Sequence, residues 1–98
     1  MPVISVAVGK NIVHDGLIDG GSGVNVITED ERRRLGLSKP SPAPFNLKMA
    51  NGTLAKPKGL IKDVRIHIHH IPYIVTLIVL DYSTIKSDYR MLLGRPWL

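Results

Sequence analysis

The apolar runs of this chain are short, β-branched and closely punctuated, and that pattern constrains the fold more than any other feature. Val3–Val8 ends at Gly9-Lys10-Asn11, and Ile12–Ile18 ends at Asp19-Gly20-Gly21-Ser22-Gly23. Val24–Ile27 is shorter still, and Tyr73–Leu80 is apolar almost throughout. Runs of this length between turn residues read as strands. Val64–His69 alternates apolar and polar residues, as a strand with one wet face does. Asn51-Gly52 between Phe45–Ala50 and Thr53–Ile61 is a strong two-residue hairpin signal. His70-Ile71-Pro72 reads as a turn, and Tyr89–Leu93 as the last strand, before Gly94–Leu98 starts a helical turn. About seven strands in 98 residues describe one all-β domain over 1–98, a small barrel or sandwich.

One helix interrupts the strands. Thr28 stands three residues before Glu31, the spacing of a hydroxyl cap and its reciprocating acid. The helix is expected to run through Leu35 and stop at Gly36. Its acids come first and Arg32-Arg33-Arg34 last, matching the helix dipole. Pro40, Pro42 and Pro44 then stiffen an extended loop. No internal repeat or low-complexity segment is visible.

Composition removes several function classes. The chain has no cysteine, which excludes disulfides and thiolate metal sites, and a reducing, cytoplasmic setting is expected. No run approaches the roughly 20 apolar residues of a membrane span, and no signal peptide is read at the start. Thirteen Lys and Arg against eight acids give a net charge of +5, but the charges are scattered and only five residues are aromatic. A nucleic-acid surface is therefore not expected. His67 and His69 fall on the polar side of an alternating strand, so they read as solvent-facing, and no metal is expected.

One segment carries chemistry. In Leu17-Ile18-Asp19-Gly20-Gly21-Ser22, a carboxylate follows an apolar strand and precedes glycines. The strand end fixes the acid, and the glycines let backbone N–H groups approach its oxygens. Asp-Gly-Gly is also an ordinary turn, so the segment alone does not decide. Ser22 lacks the Gly-x-Ser-x-Gly elbow of a serine nucleophile. Downstream lie the Lys48–Ala55 hairpin and Met91-Leu92-Leu93-Gly94-Arg95, a buried strand ending in glycine.

In that order these elements resemble the retropepsin-like aspartic proteases, with the nearest likeness to the proteases of plant LTR retrotransposon polyproteins. The likeness spans nearly the whole chain, through Leu17–Ile27, Leu47–Gly52 and Leu92–Leu98. It implies a half-pepsin barrel with a flap hairpin, no cofactor, and an endopeptidase active as a homodimer. Asp19 would be the one catalytic side chain per subunit. Two Asp19 carboxylates would share a proton and a water. Gly20, Gly21 and Ser22 would form the active-site loop, with Ser22 supporting Asp19. Ala50, Asn51, Gly52 and Thr53 would close on an extended peptide or polyprotein substrate. Gly94 would pack beneath the loop, and Arg95 would lie near the dimer interface. The setting implied is the cytoplasm or a retroelement particle.

Three departures accompany the resemblance. Gly20 stands where the family has a Thr or Ser whose hydroxyl crosses the two-fold axis. Gly23 stands where retroviral enzymes often carry an acid that pairs with the downstream arginine. The strand that pairs subunits after the Gly-Arg segment is not contained in residues 1–98. The competing expectation is therefore a weak or inactive protease-like domain used for dimerisation or peptide binding.

Overall fold

The computed structural model describes residues 3–48, 52, 54–81 and 89–95. Six strands close a barrel in the order β1-β2-β8-β3-β7-β6, and β4 and β5 form a separate two-stranded ribbon. The barrel strands are β1 (Val3–Val8), β2 (Asn11–Ile18), β3 (Val26–Thr28), β6 (Gly59–Ile68), β7 (Ile71–Leu80) and β8 (Met91–Leu93). The ribbon strands are β4 (Leu47–Lys48) and β5 (Leu54–Ala55), and the one helix, α1, is Glu29–Arg34. The barrel closes where Ala7 of β1 pairs with His67 of β6. No described helix is long and apolar enough to cross a membrane.

The longest ladder is β6 on β7. It is antiparallel and runs from Gly59↔Val79 to Ile68↔Ile71. The sequence reading ends one strand at Ile61 and starts another at Val64, whereas the structure has a single strand. Between the Ile61↔Leu77 and Val64↔Val75 pairs, β6 holds one residue more than β7. This bulge absorbs the polar Lys62-Asp63 step, with Asp63 at φ 57°. The turn also moves. His69 and His70 adopt positive φ (50° and 66°) and make the connection, leaving Ile71 and Pro72 in β7. His69 therefore sits in a turn and not on a strand face with His67. The flap strands are shorter than expected. Leu47↔Ala55 and Lys48↔Leu54 pair, and the chain then leaves the ribbon through Lys56–Lys58 around Pro57. Strand β3 starts two residues later than expected, because Val24 and Asn25 belong to the preceding loop.

The helix forms where expected, but only half of the capping box is made: Thr28 N donates to Arg90 O at 3.1 Å, and the Glu31 side chain turns to Arg34 and not back to Thr28. Thr28 Oγ1 accepts from Glu31 N at 3.2 Å. The buried Glu31 carboxylate is held by Arg34 Nη2 at 3.0 Å, and Arg34 reaches back to the Ile12 carbonyl on β2. The proline segment is pinned across β6 by paired 2.8 Å bonds between Ser41 and Leu60. Inside the barrel, Val6, Val13, Ile27, Ile66, Leu77, Val79 and Leu93 are wholly buried. A second, smaller cluster of Val26, Ile78 and Leu80 lies beside Val24, Leu47 and Leu92.

Candidate active site

The site grows out of one topological fact. Strands β2 and β3 are joined by residues 19–25, yet they are not neighbours, because β8 lies between them. Strand β8 runs parallel to β2 and antiparallel to β3. Its C-terminal end therefore emerges where the loop begins. The loop must arch over that end and span two strand spacings, roughly 10 Å. Gly94, directly after β8, is the residue beneath the arch. A Cβ there would overlap the Val24 carbonyl and come within 2.6 Å of the Ser22 carbonyl, so only glycine fits.

Backbone bonds stitch the arch to β8. Asp19 N donates to Leu93 O at 3.0 Å, and Arg95 N donates to Ser22 O at 2.8 Å. Within the arch, Ser22 N donates to Asp19 O at 3.1 Å, and Ser22 Oγ donates to Val24 O at 3.0 Å. Gly21 N donates to Asp19 Oδ1 at 2.9 Å, which fixes the rotation of the carboxylate. Asp19 is half-buried, whereas Gly20 and Gly21 are exposed. One carboxylate oxygen is thus tethered, and the group is open enough to meet water. The hydroxyl of Ser22 is engaged with the loop backbone, donating to Val24 O and accepting from Val24 N at 3.3 Å.

Asn25 is the residue that the sequence reading passed over. It is almost fully buried, at 2% exposure. Its Oδ1 accepts from Gly94 N at 2.9 Å, and its Nδ2 donates to Thr76 O at 3.4 Å. Its own carbonyl accepts from Ile78 N at 2.8 Å. One amide therefore ties the arch to β8 and β7 together. The available signal was a lone amide between Val24 and Val26 in an otherwise apolar stretch.

Beside the arch opens a cleft of about 530 Å³. Asp19, Gly21 and Ser22 form one end, Val26, Leu80 and Leu92 the apolar wall, and Leu47 and Lys48 of β4 the side toward the ribbon. Apart from Ile78, the second apolar cluster and the residues packed beside it thus line this cleft. The last four residues of β7, Leu77–Leu80, are buried on both faces because one face meets the barrel core and the other backs the cleft. Gly52, at φ 87°, is exposed at the far side of the ribbon. Ala50, Asn51 and Thr53 lie outside the described residues. Arg95 is exposed, and its guanidinium lies 3.5 Å from where a Cβ on Gly23 would stand. The structure thus gathers Asp19, Gly21, Ser22, Gly94 and Arg95 around one loop, with Gly52 on the hairpin whose base edges the cleft. Among the described residues no group of three or more His, Asp or Glu is arranged to hold a metal.

No family model matches this sequence, and no curated protein matches it significantly. Among solved structures, the fold is similar to the retroviral protease-like domain of Ddi1 from Leishmania major. The TM-score is 0.74 at 12% identity, over 100% of this chain and 72% of that one. A closed six-stranded barrel with one short helix, an arched loop over β8 and an adjoining two-stranded ribbon is the retroviral-protease-like fold, and this chain has it.

Proposed function

We propose that the protein is an aspartic endopeptidase that works as a homodimer. The observation that carries the reading is the tethered carboxylate of Asp19 at the head of an apolar cleft edged by a hairpin. No other described acid lines that cleft. Hydrolysis by paired carboxylates therefore needs a second copy of the chain, which brings its own Asp19. One carboxylate takes a proton from the bound water while the other, protonated, polarises the peptide carbonyl. The glycines beside Asp19 leave room for an extended peptide, and the hairpin around Gly52 covers it. The substrate is a polyprotein of the retrotransposon type, as the order of motifs suggests.

Gly20 supports a second reading. With no hydroxyl to cross the two-fold axis, the dimer loses hydrogen bonds worth about 1–3 kcal/mol together. A domain so weakened could bind peptides without turning them over. Asp19→Asn separates the readings. The amide keeps the acceptor for Gly21 N, so the fold should stand, while peptide cleavage falls by on the order of 10²–10⁴-fold or more. Cleavage is measured at pH 4–6 with and without pepstatin, alongside sedimentation over a dilution series. Wild-type cleavage in the Asp19→Asn protein would sink the catalytic assignment. A monomer that cleaves would sink the dimer.

A further inference from the structure

We infer that the cleft selects peptides in which an apolar residue is flanked by an acidic one, and that Arg95 and Lys48 read the acid. The inference rests on the reading of the cleft as a peptide site. The apolar wall of Val26, Leu80 and Leu92 accounts for the first requirement. The second comes from charge. Four ion pairs are present among the described residues, and they occupy Arg32, Arg33, Arg34 and Lys58 with Glu29, Glu31 and Asp81. Arg95 and Lys48 belong to none of them. Lys48 lines the cleft on the ribbon side. Arg95 lies over Gly23, which lines the cleft four residues beyond Asp19.

Among the described residues, no acid but Asp19 lines the cleft. Glu29, Asp30 and Glu31 are on the helix, Asp15 is on β2, Asp63 is in the β6 bulge, and Asp81 is beside Lys58. The cleft therefore carries one cation in its lining, Lys48, and a second, Arg95, stands beside its lining residue Gly23, and neither is paired with a described carboxylate. At Gly23 a side chain that could have answered Arg95 from within the loop is missing. An exposed cation alone attracts an anion weakly. A bound peptide changes this by covering the apolar wall and shedding water, and a guanidinium can then take a carboxylate with two parallel bonds.

The experiment uses one apolar-centred peptide in three forms, with Glu, Gln or Lys at the flanking position. Binding to the Asp19→Asn protein is read by fluorescence anisotropy at pH 6, and cleavage by the wild type as kcat/KM. The Glu form should be favoured over the Gln form by about 5–10-fold, and the Lys form should be weakest. In 0.5 M salt the preference should shrink toward about twofold. Gly23→Asp supplies the missing carboxylate to Arg95, and its Cβ meets only an ordinary 3.5 Å contact. That variant should bring the Glu and Gln peptides to within about twofold of each other, and Lys48→Gln should lower the preference in part. Equal binding of the Glu and Gln forms overturns the inference, as does a preference untouched by both substitutions. Cleavage without charge preference overturns it alone and leaves the protease standing. Charge-selective binding without cleavage upholds it and sinks turnover. If neither peptide binds, both fall.

Discussion

The β6–β7 ribbon and the arch over β8 are built on opposite plans. Strands β6 and β7 are ten residues each and pair over their full length, bulge apart. Their inward residues Ile66 and Leu77 have no exposed surface. The arch has no regular structure between Asp19 and Asn25. It is held by a few single hydrogen bonds to residues 93–95 and by one buried amide. The ribbon is secured by area removed from water, which tolerates small shifts. The arch is secured by directional bonds, which do not. Stability and geometry are thus assigned to different parts of one small barrel, and substitutions should separate them.

The largest effect on stability is expected in the ribbon. Ile66→Ala removes a wholly buried side chain in the centre of the barrel. The expected loss is about 2–5 kcal/mol, read from chemical denaturation. Turnover per folded molecule should change little. If the folded fraction instead loses its activity, the ribbon and arch are coupled and the contrast fails.

Asn25→Ala tests the other plan. It leaves Gly94 N buried without its acceptor and frees the arch from β7. The expected stability cost is smaller, about 1–3 kcal/mol. The fall in kcat should be larger than that of any ribbon variant, with KM less affected, because the arch sets where Asp19 stands. Asn25→Asp keeps an acceptor for Gly94 N and should recover part of the rate. A variant that loses stability but keeps kcat would make Asn25 a packing residue only.

These two regions were unequally legible in the sequence. The ribbon could be read from alternation in Val64–Ile68 and from the apolar run up to Leu80, since burial repeats with the strand period. Its bulge could not be read, because Lys62-Asp63 looks like a break unless the partner strand is known. Asp19 stood out locally as an acid between an apolar strand and glycines, whereas the place of Gly94 beneath the loop was an expectation of the resemblance and not of any local rule. Asn25 was not legible, because its partners are 51 and 69 residues away and no local rule links them. The parallel pairing of β8 with β2, which makes the loop arch at all, is likewise invisible to local pattern. The apolar cleft wall was hidden in plain view. A strand buried against a cleft has the same composition as one buried against a second sheet.

The hairpin should respond to substitution in activity and hardly in stability. Gly52 has positive φ and no atom near the place a Cβ would take. Gly52→Val is therefore opposed by backbone conformation and not by crowding. The expected cost to the fold is about 1 kcal/mol or less, since the β4–β5 hairpin, unlike β6–β7, packs few buried residues. Peptide affinity and turnover should fall together in a steady-state assay. Normal inhibitor binding by this variant would remove the hairpin from the site.

The smallest effect concerns the helix between the two regions, which follows β3 and packs against both β3 and β7. The Glu29 carboxyl is held below its ordinary value of 4.5 chiefly by the hydrogen bond from Arg32, and further by the charges of Arg32, Arg33 and Lys58, against the opposing effect of burial. A carboxyl lowered in the native state stabilises fully above its unfolded value. That contribution is lost as the pH falls through the lowered native value. Glu29→Gln should therefore lower the melting temperature at pH 7, by the few degrees at most that a contribution under about 1 kcal/mol allows. The difference from wild type should narrow once the pH drops below about 4.5 and vanish in stronger acid. Calorimetry across pH 2–7 measures both curves. A gap that widens toward acid would reverse the sign and show that Glu29 is strained by its neighbours. A gap that closes as expected means that assays near pH 4 are run on a barrel that has begun to lose its helix anchor while its ribbon is untouched.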